Sequence, residues 1–249
     1  MKRVRFAAAG RVRTGEFRDG WLVDEAGRRH RPEEVVWLPP VQPSKVVGLA
    51  LNYADHAEEL GVRVPEEPAL FFKPPSSLVG HLAPVVYPSG VRHLHQEVEL
   101  AVVIGRRCRR VRPEDAYGVV RGYTIANDVT VRDYVGNFYR PPVRAKGYDT
   151  FCPVGPWVVE GEVEEPHALR LRAYVNGSLR QEGSTANLLW KIPELVALVS
   201  EIMTLEPDDL ILTGTPRGVD PVYPGDVMRL EVEGIGALEN PVVSEEPEG

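Results

Sequence analysis

Short apolar runs separated by glycine, proline and polar turns recur along the chain, and this pattern predicts a protein built mainly of β-strands. The runs RVRFAAAG, GWLVDEAG and EVVWLPP predict a small β-rich segment at residues 1–44, which closes with the proline-rich connector PPVQPS. Further strands are predicted at VVGLAL, ALFFKP, PVVYP, EVELAVVIG, YTIANDV and GPWVVE, all between residues 46 and 160.

Helical patterns are fewer than strand patterns. Residues 55–60 predict a short helix that ends at Gly61, and residues 113–119 predict another with Pro113 in its first turn. Residues 190–204 carry apolar side chains at helical spacing. The pair Asn176-Gly177 is typical of a hairpin turn, and two further strands are predicted at DDLILTG and VMRLEVEGIG. Because the helices do not alternate with the strands, we expect an α+β fold, with residues 45–249 as the main domain.

Composition narrows the function classes. The net charge of −7 and the scattered arginines argue against nucleic-acid binding, which needs a concentrated basic face. No apolar run approaches the roughly 18 residues of a membrane span, and the amino end lacks a secretory pattern. The two cysteines, Cys108 and Cys152, are far apart and form no C-x-x-C pair. We therefore expect a cytoplasmic protein without a zinc-thiolate site or a disulfide scaffold.

Acidic side chains at strand spacing give the first chemical signal. Glu97 and Glu99 lie two residues apart in an apolar strand, so both point to the same face and can converge on one cation. Asp128 follows a second apolar strand. Carboxylates without a cysteine or histidine cluster favour Mg²⁺ or Mn²⁺, with Ca²⁺ as a third candidate. Acids on a solvated strand face, and an Asx-turn at Asp128, explain the same residues equally simply.

Three other segments carry candidate functional groups. His56 and Glu59 are neighbours on the predicted short helix, where the carboxylate would orient the imidazole as an acid or base; a surface ion pair is the simpler alternative. Lys146, if buried, would neutralise substrate charge, although lysine is usually solvated. The loop at Gly214 and Thr215 offers amides and a hydroxyl for a carboxylate, or is a plain turn. Cys152 has no base paired with it in a local motif, and no G-x-S-x-G is present.

The order of these segments resembles the fumarylacetoacetate hydrolase family from about Val46 to Val243. The matching stretches are NYADHAEE, ALFFKP, HQEVELAVVIG, GYTIANDVTVRD, AKGYDTFCPVGPW, VNGSLRQEG and LTGTPRGV. The resemblance implies a β-rich α+β domain with a rolled mixed sheet. The roles it implies for single residues are a metal site at Glu97, Glu99 and Asp128, an acid/base pair at His56 and Glu59 on a lid, an active-site lysine at Lys146, and substrate contacts at Lys73, Arg132, Gly214 and Thr215.

Within the family, the RDYVGNFYRPPVRAKGYD and MTLEPDDLILTGTPRGV stretches look like the branch that acts in homoprotocatechuate breakdown. This implies decarboxylation of 5-carboxymethyl-2-oxohex-3-enedioate and isomerisation of 2-hydroxyhepta-2,4-dienedioate, in a homodimer. Some relatives that cleave acylpyruvates or decarboxylate oxaloacetate carry glutamine where this chain has Val135, which disfavours that branch. A C–C bond hydrolase, a sugar-acid dehydratase and a non-catalytic structural partner remain as alternatives.

Overall fold

The computed structural model describes residues 1–59, 61, 66–135 and 141–245, and β-strands form most of its regular structure. The strands of the amino-terminal part are β1 Lys2–Ala8, β2 Arg11–Arg18, β3 Trp21–Asp24, β4 Arg29–His30 and β5 Val36–Leu38. The strands of the middle part are β6 Val46–Ala50, β7 Ala69–Lys73, β8 Leu78–Val79, β9 Val85–Tyr87, β10 Leu94–His95, β11 Val98–Ile104, β12 Val120–Asn127, β13 Thr130–Val131 and β14 Cys152–Val159. The last strands are β15 Arg170–Val175, β16 Ser178–Ser184, β17 Leu210–Leu212, β18 Pro221–Val222, β19 Val227–Val232 and β20 Gly236–Ser244.

Helices are short and few among the described residues. The α-helices are α1 Ala54–Glu59, α2 Val143–Lys146 and α3 Ile192–Ile202. Short 3₁₀-helices lie at Pro32–Glu34, Pro75–Ser77, Pro113–Val119, Arg132–Tyr134 and Thr185–Asn187. No helix of the described chain is both long enough and apolar enough to cross a membrane.

The strands form one large sheet and two small ones. The twelve-stranded sheet runs in the order β4-β3-β2-β1-β14-β12-β11-β17-β6-β7, with β5 paired to β1 and β8 paired to β14. A three-stranded sheet has the order β13-β10-β18, and a five-stranded sheet has the order β16-β15-β19-β20-β9. Strands β11 and β12 are central and antiparallel, which brings the residues before β11 next to the residues after β12.

Apolar side chains cover both faces of the central strands. On one face Val98, Leu100, Val102 and Ile104 pack with α3 and with the inner side of the five-stranded sheet. On the other face Ala101 and Val103 belong to a second cluster, shared with β6, β14 and β17. The carboxyl groups near the start of β11 are therefore held by strands that are buried on both sides.

The fold predicted from sequence agrees with this architecture, with one change of helix type. The amino-terminal β-rich segment, the hairpin at Asn176-Gly177 and the helix within 190–204 are all confirmed. The predicted helix at 113–119 is a 3₁₀-helix with Pro113 in its first turn, where no intrahelical partner is needed for the missing N–H. The helix predicted at 55–60 occupies Ala54–Glu59, and Leu60 lies outside the described residues.

The division at residue 44 does not interrupt the large sheet. Lys2 and Arg3 of β1 pair with Val159 and Val158 of β14, so the amino-terminal strands continue the sheet of the larger part. Trp157 of β14 also stacks on Phe17 of β2, with ring centroids 4.6 Å apart. The two parts share this sheet and this aromatic contact, and whether they are separate domains stays a prediction.

Candidate metal and substrate site

Glu97, Glu99 and Asp128 converge at one buried point. Each offers a carboxylate oxygen that lies within 4.8 Å of the others, and the side chains are almost completely buried. The convergence follows from the antiparallel pairing, because Val98 lies opposite Asn127 and Asp128 is the next residue. The Asp128 amide also donates to the Glu97 carbonyl at 3.0 Å. The alternative of acids on a solvated strand face is therefore wrong for these residues.

Glu97 is paired with two cations. Lys146 Nζ donates to Glu97 Oε2 at 3.2 Å, and an Arg132 guanidinium nitrogen donates to Glu97 Oε1. Burial alone raises the pKa of Glu97, but the charges of Lys146, Arg132 and His56 outweigh burial and bring it to about 2. Glu97 is thus a carboxylate at neutral pH.

Glu99 lies in a different electrostatic environment. Burial raises its pKa, and so do the neighbouring charges of Asp128 and Glu97, so that the pKa lies well above its ordinary value. The Lys146 charge and the Gly214 amide, which donates to Glu99 Oε2 at 2.7 Å, act in the opposite direction. Like charges this close favour a cation or a proton between them.

Asp128 is held by two lysines. Lys73 Nζ donates to Asp128 Oδ1 at 2.6 Å, and Lys146 donates to Asp128 Oδ2. Lys146 also donates to the Thr130 hydroxyl at 2.8 Å. Burial lowers the pKa of Lys146, but Asp128 and Glu97 outweigh burial and raise it, so Lys146 is an ammonium at neutral pH. The alternative of a solvated Lys146 is wrong.

The pair on helix α1 is formed as predicted. His56 Nδ1 lies 3.1 Å from Glu59 Oε2, and the imidazole is buried while the Glu59 side chain is 32% exposed. The other Glu59 oxygen accepts from the Gly218 amide at 2.9 Å, which ties α1 to the loop after β17. The same loop carries Gly214, whose amide donates to Glu99, so this pair and the carboxylates border one site.

The loop after β17 is fastened to β11. The Thr215 hydroxyl donates to the Val98 carbonyl at 2.9 Å and accepts from Gln181 Nε2 at 2.9 Å. The side chain of Gln181 also accepts from the Val98 amide at 3.2 Å. These bonds hold Gly214 where its amide reaches Glu99. Substrate contact by Arg132, Gly214 and Thr215 stays a prediction.

Sequence reasoning missed three residues that shape the site. Gln181 anchors the loop as described, and Asn52 Nδ2 donates to the Thr213 carbonyl at 2.8 Å from a buried position. Tyr53 is fully buried, and its hydroxyl has no hydrogen-bond partner within the described chain. Burial and the charge of Glu99 raise the pKa of Tyr53, so the phenol stays neutral. The NYADHAEE match contains Asn52 and Tyr53, but their chain positions alone do not show where the side chains point.

The donor set fits a hard divalent cation. The three converging groups are carboxylates, which are the ligands that Mg²⁺, Mn²⁺ and Ca²⁺ prefer, and no sulfur ligand is among them. Cys152 is buried, and burial raises the pKa of its thiol to about 12, so it is no nucleophile at neutral pH. The site can therefore hold a divalent metal ion next to a lysine, an arginine and a histidine.

Comparison with known proteins shows similarity to one family over most of the chain. The model of the fumarylacetoacetate hydrolase C-terminal family matches residues 45–243. The 4-hydroxyphenylacetate degradation bifunctional isomerase/decarboxylase of Salmonella dublin is 47% identical over 217 residues, which is 87% of this chain and 50% of that protein. This chain spans about half the length of that relative.

Two solved structures are similar over nearly the whole chain. The 5-carboxymethyl-2-hydroxymuconate delta-isomerase from Mycobacterium smegmatis has a TM-score of 0.90 at 42% identity and covers 99% of this chain and 100% of its own. The maleylpyruvate hydrolase from Sphingobium sp. SYK-6, in complex with manganese(II) ion and pyruvate, has a TM-score of 0.85 at 33% identity, again covering 99% of this chain and 100% of its own.

Proposed function

The chain belongs to the fumarylacetoacetate hydrolase family, and we propose that it is a divalent-metal-dependent isomerase and decarboxylase of aromatic (homoprotocatechuate) catabolism. Its substrates are 5-carboxymethyl-2-oxohex-3-enedioate and the 2-hydroxyhepta-2,4-dienedioate formed from it. The main observation behind this proposal is that Lys146 donates hydrogen bonds to Glu97 and Asp128 inside the cluster of three carboxylates. Such a site matches a 2-oxo acid, whose negative charge grows during the reaction.

The metal ligands in this proposal are Glu97, Glu99 and Asp128, with Mg²⁺ as the expected ion and Mn²⁺ or Ca²⁺ as alternatives. The cation would act as a Lewis acid toward the keto and carboxylate oxygens at the 2-oxo end of the substrate. Lys146 and Arg132 add positive charge at the same point, and the Gly214 amide and Thr215 hydroxyl line the loop beside it.

The chemistry needs charge stabilisation and one proton carrier. In the first step the bond to the departing carboxyl group breaks, CO₂ leaves, and its electron pair moves through the conjugated double bond to the 2-oxygen. The 2-oxygen of the resulting dienolate takes up one proton, which gives 2-hydroxyhepta-2,4-dienedioate. This dienol then loses the same hydroxyl proton and gains a proton at carbon 5, which gives the 2-oxo-3-enoate. Lys146 stabilises the negative 2-oxygen, and His56, oriented by Glu59, carries the proton.

A C–C bond hydrolase of acylpyruvates or fumarylacetoacetate-like diketones is the second candidate. The similarity to a maleylpyruvate hydrolase structure supports it, because the same His56 and Glu59 pair could activate water. Val135, which stands where some of those relatives carry glutamine, disfavours it. The FYRPP loop also bears on this choice, but its residues 138–140 lie outside the described residues.

We also propose that the protein is a cytoplasmic homodimer. The support is that the matched region makes up 50% of the Salmonella dublin relative, which is long enough for two such regions, and a homodimer would likewise bring two of them together. Light scattering should then give a mass of about twice 27.7 kDa, and a monomer in active preparations would contradict this proposal.

The deciding experiment is a spectrophotometric assay with Mg²⁺ on the tricarboxylate substrate and on acetylpyruvate, for wild type and Glu97→Gln. We expect metal-dependent CO₂ release and dienoate isomerisation. Glu97→Gln should lose at least about a hundredfold in rate, since losing even a partner of a metal ligand costs about ten- to a hundredfold. Glu182→Gln, at an exposed ion pair with Arg172, is the control and should keep its rate. Rapid acetylpyruvate cleavage without tricarboxylate turnover would instead favour the hydrolase.

A further inference from the structure

Lys73 lies at the end of strand β7 and its side chain is completely buried. Its ammonium donates to Asp128 Oδ1 at 2.6 Å and to the Val129 carbonyl at 3.2 Å. Both acceptors belong to the segment that follows β12. Lys73 therefore fixes the position of this segment and of the Asp128 carboxylate at the same time.

The cations around the carboxylates differ in how far solvent reaches them. The side chain of Arg132 is 17% exposed and that of Lys146 is 8% exposed, whereas that of Lys73 is 0% exposed. A substrate enters from solvent, so it can meet Arg132 and Lys146 without any rearrangement. The Lys73 side chain offers no exposed surface to such a ligand, and its ammonium is already bonded to Asp128 and to the Val129 carbonyl.

The two oxygens of Asp128 are divided between the two lysines. Lys146 contacts Asp128 Oδ2 and also Glu97 Oε2, so Oδ2 is the oxygen that faces the other carboxylates. Lys73 holds the opposite oxygen, Oδ1. A bond on Oδ1 fixes the rotation of the carboxylate, which decides whether Oδ2 points to a cation shared with Glu97 and Glu99.

We infer that Lys73 is a positioning residue for the metal ligand Asp128 and does not contact the substrate. The inference rests on the proposed metal site. Without Lys73, one buried oxygen of Asp128 loses the only side-chain donor that it has among the described residues, and the carboxylate can rotate away from the cation position. If Lys73 acted only by its positive charge, removing it would strengthen cation binding. If Lys73 positions Asp128, removing it should weaken cation binding.

The test is Mn²⁺ binding to metal-free protein, measured by calorimetry for wild type and Lys73→Met. We expect the dissociation constant of Lys73→Met to rise about ten- to a hundredfold, while the KM for substrate at saturating Mn²⁺ stays within about twofold of wild type. Lys45→Met is the matched control, because Lys45 pairs with the buried Asp209 at a different place and its loss should leave Mn²⁺ binding unchanged.

The possible results distinguish failure of the proposed metal site from failure of the inference on Lys73. Failure of wild type to bind Mn²⁺ overturns the proposed metal site itself. Binding by Lys73→Met that equals or exceeds wild type overturns only the inference on Lys73, as does a raised KM with unchanged Mn²⁺ affinity. If Lys73→Met does not fold, Lys73→Gln, which keeps a donor without the charge, is judged by the same comparison.

Discussion

At the scale of single residues, Glu99 should couple metal binding to pH. Burial and the charges of Asp128 and Glu97 raise the pKa of Glu99 well above its ordinary value, so without a bound cation Glu99 keeps its proton to higher pH than an ordinary glutamate. A metal ligand must be deprotonated, so binding should release this proton. The Mn²⁺ dissociation constant should therefore fall by up to about tenfold per pH unit as pH rises toward this pKa. Calorimetry in buffers of different ionisation enthalpy measures the released proton, and pH-independent binding would contradict this prediction.

The sequence could predict the proposed metal ligands better than the residues around them. Glu97 and Glu99 are two residues apart in the predicted strand, so their common direction follows from local geometry, although β11 itself begins one residue later, at Val98. The approach of Asp128 depends on the pairing of β11 with β12, which no sequence pattern indicated. The family resemblance supplied only the role of Asp128 beside the two glutamates. The burial of Lys73 and the role of Gln181 depend on segments more than fifty residues away, which no local pattern encodes.

At the scale of elements, the contact between helix α1 and the loop after β17 depends on Gly218. Its φ of +95° favours glycine, and a β-carbon there would lie 2.5 Å from the Arg180 carbonyl oxygen. Gly225 has a matched φ of +96° with no atom within 4 Å of such a β-carbon. Alanine at either position is therefore destabilised by backbone strain of order 1–3 kcal/mol. Only Gly218→Ala adds a steric clash, with the Arg180 carbonyl oxygen.

We expect Gly218→Ala to unfold at lower urea concentration than Gly225→Ala and to lose turnover, because the Gly218 amide would no longer reach Glu59. Gly225→Ala should lose stability alone. Urea unfolding and the assay of wild type beside both variants measure these two effects. Equal turnover in the two variants would show that the contact between α1 and the loop has no part in the reaction.

At the scale of the whole molecule, the prediction of α+β architecture holds because it rests on many independent strand patterns. The sequence could not show how the segment before residue 44 attaches to the rest. That attachment uses the pairing of β1 with β14, which has two residue pairs in register, and the stacking of Phe17 on Trp157. Both are contacts between positions about 140 residues or more apart, so periodicity along the chain carries no signal for them.

The shared sheet leads us to expect that both parts unfold together. Phe6 is fully buried in the amino-terminal core with Leu22 and Trp37, and Phe6→Ala should cost about 3–5 kcal/mol. Mn²⁺ at about a hundred times its dissociation constant should add about 2.7 kcal/mol from a site in the other part. Calorimetry should show a single unfolding transition. Its midpoint temperature should be lower for Phe6→Ala and higher with Mn²⁺, and Glu97→Gln should lose the increase caused by Mn²⁺. Two transitions, with Phe6→Ala moving one and Mn²⁺ the other, would instead show independent domains, since a cooperative unit responds to both changes at once.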